Sequence, residues 1–194
     1  VSEGLYKEKG SKFIAKAVPV TSIEQVNDAL ENLKKEFHDA RHHCYAYILN
    51  PHASLYRAND DGEPNHSAGD PILGQIKSLE LTNTLIVVIR YFGGTKLGVS
   101  GLIHAYKTAA AEALSKADIL KREVTQSISF DFSYPQTNEV MKLVAKYNIK
   151  LEEQTFESSC LIKGKVPLRN LELLRSDIKL LNDLGNQIIL NTKN

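Results

Sequence analysis

Apolar residues recur along this chain with two periods, and the stretches of each period predict its elements. Lys12 to Val20 is rich in β-branched and aromatic residues and closes on Pro19-Val20, which predicts a strand. Ser22-Ile23-Glu24-Gln25 has capping-box spacing, and Ile23, Val26, Leu30, Leu33 and Phe37 follow at helical intervals, so a helix is expected to about Phe37. His42 to Leu49 and Ser54 to Arg57 are expected as two strands joined through the turn cluster Asn50-Pro51-His52. Ser67 is the expected cap of a helix through Pro71, Ile72, Ile76 and Leu79. Leu85 to Arg90 is short and apolar almost to its end, the pattern of a buried central strand. Tyr91 to Gly98 cannot continue it and is expected as a loop. An alanine-rich helix from Gly101 to Ala117 follows, with Leu102, Ala105, Ala109 and Ala113 on one face, and then a strand near Arg122.

The remainder has the pattern of a second unit. Ile128, Phe130 and Phe132 alternate as in a half-buried strand, and Pro135 opens a helix whose stripe is Val140, Leu143, Val144 and Tyr147. Strands are expected around Ile149–Phe156 and Ser159–Val166. Pro167 then opens a helix through Leu171, Leu174, Ile178 and Leu181 that stops at Gly185, and Asn186 to Leu190 is a last strand. The order βαββαβ is that of a ferredoxin-like unit. The fold class is therefore α+β, with domains at 1–125 and 126–194 and the boundary near 124–128.

Composition narrows the function classes. The 194 residues hold 24 Lys plus Arg against 23 Asp plus Glu, a formal charge of +1, which excludes a binder working through bulk positive charge. Residues 127–194 hold 9 basic and 8 acidic side chains, so charge does not separate the two parts. Any nucleic-acid contact must come from a local patch. The two cysteines, Cys44 and Cys160, are too sparse for a disulfide scaffold and are expected as inert thiols of a cytoplasmic protein. The apolar run Leu85 to Ile89, like every other in the chain, is far short of the ~20 residues that span a bilayer, so no membrane partner is expected. No basic-then-apolar leader opens the sequence, and its first residue, Val1, suggests a trimmed start.

Seven of the eleven glycines lie between Gly62 and Gly101, which places the special backbone geometry there. Gly93-Gly94-Thr95-Lys96-Leu97-Gly98-Val99-Ser100 joins the buried strand to a helix, where exposed amides at the positive end of a helix dipole suit an anion. Val99 stands where a Walker motif needs Lys, so this is not a P-loop; a tight turn using positive φ is the other explanation. Asp60, Asp61 and Glu63, beside His66, form an acidic cluster that supplies either an acid–base pair or a solvated turn. Arg90 ends an apolar strand and needs a carboxylate or a ligand, with Asp61 or Glu63 as the internal choices. On a strand His42 and Cys44 share a face and His43 points away, and with no second ligand pair at zinc spacing no metal is expected. No cofactor and no catalytic residue is expected.

Taken together, Asp60-Asp61-Gly62-Glu63-Pro64, Ala68-Gly69 with Pro71-Ile72-Leu73, Val87-Val88-Ile89-Arg90-Tyr91-Phe92-Gly93-Gly94 and Leu97-Gly98 resemble the YigZ/IMPACT family. Ser11-Lys12-Phe13-Ile14 and His43-Cys44 look like the same family, over nearly the whole chain. Asn65-His66-Ser67 departs from it, standing where relatives usually have Gly followed by Thr or Ser. The resemblance implies a first domain like the second domain of ribosomal protein S-five and a tail like the last domain of elongation factor G. It also implies a role near translation, since eukaryotic relatives, similar in the first domain only, act in translational control. Three functions are weighed, in this order. One is a non-catalytic protein docking on RNA, the ribosome or a translation-related partner through Arg90, Gly93, Gly94, Lys96, Gly98, Ser100 and Lys107. The second is an enzyme acting on a phosphorylated small molecule or nucleotide, with Asp60, Asp61 or Glu63 as base. The third is a protein–protein module using the exposed tail sheet.

Overall fold

In the computed structural model, which describes residues 1–157 and 159–192, the chain divides into two compact units, Val1–Ile119 and Leu120–Asn194. The first is built on a five-stranded antiparallel sheet of β1 (Ser2–Glu8), β2 (Ser11–Pro19), β3 (His42–Leu49), β4 (Leu55–Asn59) and β5 (Thr84–Tyr91), in the order β1-β2-β5-β3-β4. The apolar run occupies the central strand, where Leu85 to Ile89 are buried on both faces. One face carries α2 (Gly69–Ser78) and α3 (Gly98–Ser115), packed on Phe13, Ala15, Cys44, Ala46, Ile86 and Val88. The alternate residues Ile14, Leu85, Val87 and Ile89 face the other way, under α1 (Ile23–Glu36).

Ser22 caps α1 as the capping-box spacing requires, its hydroxyl accepting from the Gln25 amide at 3.3 Å, while Gln25 turns back to the Thr21 amide at 2.7 Å. β1 has no counterpart among the expected strands. Its inward positions are Ser2, Gly4, Tyr6 and Glu8, so the apolar alternation that announces a strand is missing. Gly4 is there because α3 lies on it: a Cβ would stand 2.4 Å from the Ala113 nitrogen. α3 begins at Gly98, three residues before the expected Gly101. No strand forms at Arg122; residues 118–124 have no regular structure.

The second unit contains β6 (Thr125–Phe132), α4 (Thr137–Lys146), β7 (Lys150–Phe156), β8 (Cys160–Pro167), α5 (Leu171–Asp183) and β9 (Ile188–Thr192). The sheet order β7-β8-β6-β9, antiparallel throughout, is the ferredoxin-like arrangement expected from the element order. Phe130, Ile162, Val140 and Leu174 are fully buried in its core, and Pro135 and Pro167 each precede their helix in or beside a single 3-10 turn. No helix of the described residues is long and apolar enough to cross a membrane.

Candidate functional site

The acidic and glycine loops both lie at the end of the first sheet where β5 finishes. Across the ladder Arg90 stands opposite Phe13 on β2 and His42 on β3, so all three side chains project toward α2 and α3. Arg90 is 7% exposed and Glu63 is 8% exposed. The Arg90 guanidinium donates through Nη1 to Glu63 Oε1 at 2.5 Å, and the Tyr106 hydroxyl on α3 donates to the same oxygen at 2.8 Å. Cys44 donates its thiol to Tyr106 Oη at 3.3 Å and lies 3.0 Å from the Asp60 carbonyl. The rings of Phe13 and Phe92 lie 5.5 and 5.7 Å from the guanidinium carbon, and His42 Nε2 is 4.0 Å from Glu63.

Burial pushes the Tyr106 hydroxyl up, reinforced by Cys44 and Glu63, and burial pushes the Cys44 thiol up as well. Both stay protonated donors at neutral pH. Buried Cys44 is thus a hydrogen-bonding core residue without the depressed pKa of a reactive thiolate. His43 turns to the opposite face, where burial pulls its imidazole below the usual range and its Nε2 has no partner among the described residues. No group of three His, Cys, Asp or Glu side chains able to hold a metal occurs among the described residues.

Each carboxylate of the acidic loop has a structural partner. Asp60 accepts from the amides of His66 at 2.8 Å, Ala68 at 2.9 Å and Gly69 at 2.8 Å, and so caps α2 from eight residues upstream. Ser67, the cap expected from local sequence, instead donates to the Pro64 carbonyl at 2.6 Å, and the residue at the cap position, Ala68, has no side chain for the task. Asp61 accepts from the His43 amide at 2.7 Å, and its carbonyl accepts from His42 Nδ1 at 2.8 Å. Of the two carboxylates offered by the sequence, Glu63 is the one that neutralises Arg90, and it does so inside the protein. Arg90 therefore presents no free charge to a ligand.

The glycine loop divides into an anchored residue and an open run. A Cβ on Gly93 would stand 1.8 Å from the Gly10 carbonyl carbon, so only glycine fits against the β1–β2 turn, and the Gly93 amide donates to the buried Ser11 hydroxyl at 3.1 Å. That amide is withdrawn from any ligand. Beyond it Gly94, Thr95, Lys96, Gly98, Val99 and Ser100 are exposed, and Gly94 and Gly98 hold positive φ. Leu97 occupies the cap position of α3 and supplies no side-chain bond, so the first-turn amides of this helix carry no side-chain cap. Lys96 and Lys107 are exposed and make no ion pair among the described residues; Lys107 lies about 13 Å along the helix from Gly98. The structure thus brings the two loops to one end of the sheet, joined through Glu63 and Arg90. Tyr106 and Ser11 complete the arrangement. Tyr106 sits four residues after Leu102 on the buried stripe of α3, and a hydroxyl on that stripe is the signal that it has a buried polar partner.

Comparison with known proteins places this arrangement in context. The family defined by the Impact N-terminal domain matches residues 9–114, which hold the sheet end and both loops. IMPACT family member YvyE of Bacillus subtilis is 33% identical over 153 residues, which is 79% of this chain and 65% of that protein. An IMPACT family member of Thermus thermophilus is 38% identical over 143 residues, 74% of this chain and 76% of that one. Among solved structures, a hypothetical protein of 24% identity shares the fold over 97% of this chain and 92% of its own, with a TM-score of 0.66.

Proposed function

The chain belongs to the IMPACT family, and from that premise we propose that it is a non-catalytic cytoplasmic protein of translation that docks on RNA, as in the ribosome, through the open run of the glycine loop and the head of α3. The observation that carries this proposal is the exposed stretch Gly94 to Ser100 leading into a helix whose first amides have no side-chain cap, with Lys96 in the loop and Lys107 further along the helix, neither in an ion pair among the described residues. Amides and cations of this kind contact phosphate without reading sequence. The translation assignment follows from what the family resemblance implies. Asp60, Asp61 and Glu63 are all engaged in bonds that hold the fold, which favours binding over a reaction that needs one of them as base.

Titration of the purified chain against a structured RNA over a salt series tests the proposal. Binding is expected at low salt, weakening steeply as salt rises. Lys96→Ala with Lys107→Ala is expected to lower the slope of log affinity against log salt by about 1.4–1.8, at about 0.7–0.9 per phosphate contact. No binding at low salt, or an unchanged slope in the double variant, refutes it. Arg90→Ala is unsuited to this test, because it strands the buried Glu63 carboxylate.

A further inference from the structure

The β1–β2 hairpin ends in a two-residue turn, Lys9-Gly10, with φ of +45° and +80°. Turns of this hand favour Asn or Asp with Gly, and here a lysine holds the left-handed position at the tip. Behind the tip Lys7 and Lys12 are directly opposed across the ladder, a like-charge pair that destabilises the hairpin. All three lysines are exposed, and none makes an ion pair among the described residues. The nearby carboxylates are turned to other partners: Glu8 accepts from the Tyr6 hydroxyl at 3.1 Å, and Asp39 from the Tyr91 hydroxyl at 2.7 Å. Through the Gly10–Gly93 contact the tip lies against the glycine loop, which adds the exposed Lys96.

We propose that this hairpin tip is a second, cationic contact for the phosphate backbone of RNA, set beside the glycine loop so that one strand engages Lys7, Lys9, Lys12 and Lys96 together. The inference rests on the RNA-docking function proposed above and supplies the charge that the near-neutral composition conceals. A left-handed lysine and an opposed lysine pair both act against the stability of a small hairpin, and a polyanion relieves the repulsion between them. The contact of the tip with the glycine loop, which the function proposed above assigns to RNA, directs the choice to RNA rather than to an anionic lipid surface.

Fluorescence anisotropy with a labelled RNA stem-loop decides it. The combined variant Lys7→Gln, Lys9→Gln, Lys12→Gln is expected to bind about tenfold or more weakly at low salt and to lose about 2 from the salt slope. Lys12→Glu, which replaces the repulsion with an opposite-charge pair, is expected to raise the melting temperature while binding weakens. An unaltered affinity and slope in the triple variant, while the parent chain binds RNA, overturns the hairpin contact and leaves the glycine-loop function standing. A parent chain that fails to bind RNA at low salt, or binds only anionic vesicles, overturns both.

Discussion

The two units bury their cores in opposite ways. Every buried polar or charged side chain among the described residues (Ser11, His43, Glu63, Ser67 and Arg90) lies in the first unit, while the buried set of the tail is apolar throughout. The hydroxyl of buried Tyr147 reaches outward to donate to Asp177 at 2.7 Å, and exposed Asn182 bonds the backbone of Ile188. The tail is thus held by area removed from water. The first unit also contains a desolvated ion pair that apolar residues could replace without loss of stability. That pair ties the acidic loop to the strand that launches the glycine loop, so its value lies in positioning two loops.

The largest test of this contrast is Glu63→Leu. It leaves Arg90 buried without a counter-charge and is expected to destabilise the first unit by about 3–5 kcal/mol. Hydrogen exchange should then accelerate in residues 1–119 and stay unchanged in residues 120–192. Adding Arg90→Met is expected to recover most of the loss, because neither charge is then stranded; no recovery would mean that the pair itself, and not its imbalance, supports the unit. The reciprocal change, Leu174→Ala at a fully buried tail position, is expected to cost about 3 kcal/mol and to loosen the tail alone. Loss of protection in both units from either variant would break the comparison.

The smallest effect is that of pH. The folded-state pKa of His43 is depressed by burial, so its neutral form favours the folded state; its contribution is present above the unfolded value of about 6.5 and is lost as pH falls from there toward the folded value. His66, raised by Asp70, acts with the opposite sign. Denaturation midpoints measured between about pH 7.5 and 5.5 are therefore expected to fall more in the parent chain than in His43→Phe, which keeps the His66 contribution and removes the other. Parallel midpoints in the two chains would remove His43 from the pH dependence.

What could be seen in the sequence was local. The cap at Ser22, the helical stripes of α1, α4 and α5, the buried β5 and the βαββαβ order all depend on residues within a few positions of one another, where periodicity and capping chemistry act directly. The same locality misplaced the cap of α2, since Ser67 lies next to the helix while Asp60 reaches it only through the folded loop. It also concealed β1, whose inward Gly4 is explained by a helix more than a hundred residues later. Arg90 had to find a partner because of its own chemistry, and that need was legible; which carboxylate answers it was not. The choice of Glu63, the Ser11 bond to Gly93 and the lysine tip beside the glycine loop follow from strand order and register, which bring residues from about 30 to about 80 positions apart into contact. The sequence alone determined the elements and the chemical needs of their side chains, because propensity and charge are properties of the residues themselves. Only the tertiary structure decided which groups satisfy one another and which are left facing solvent, because that depends on distances the chain acquires when its sheets close.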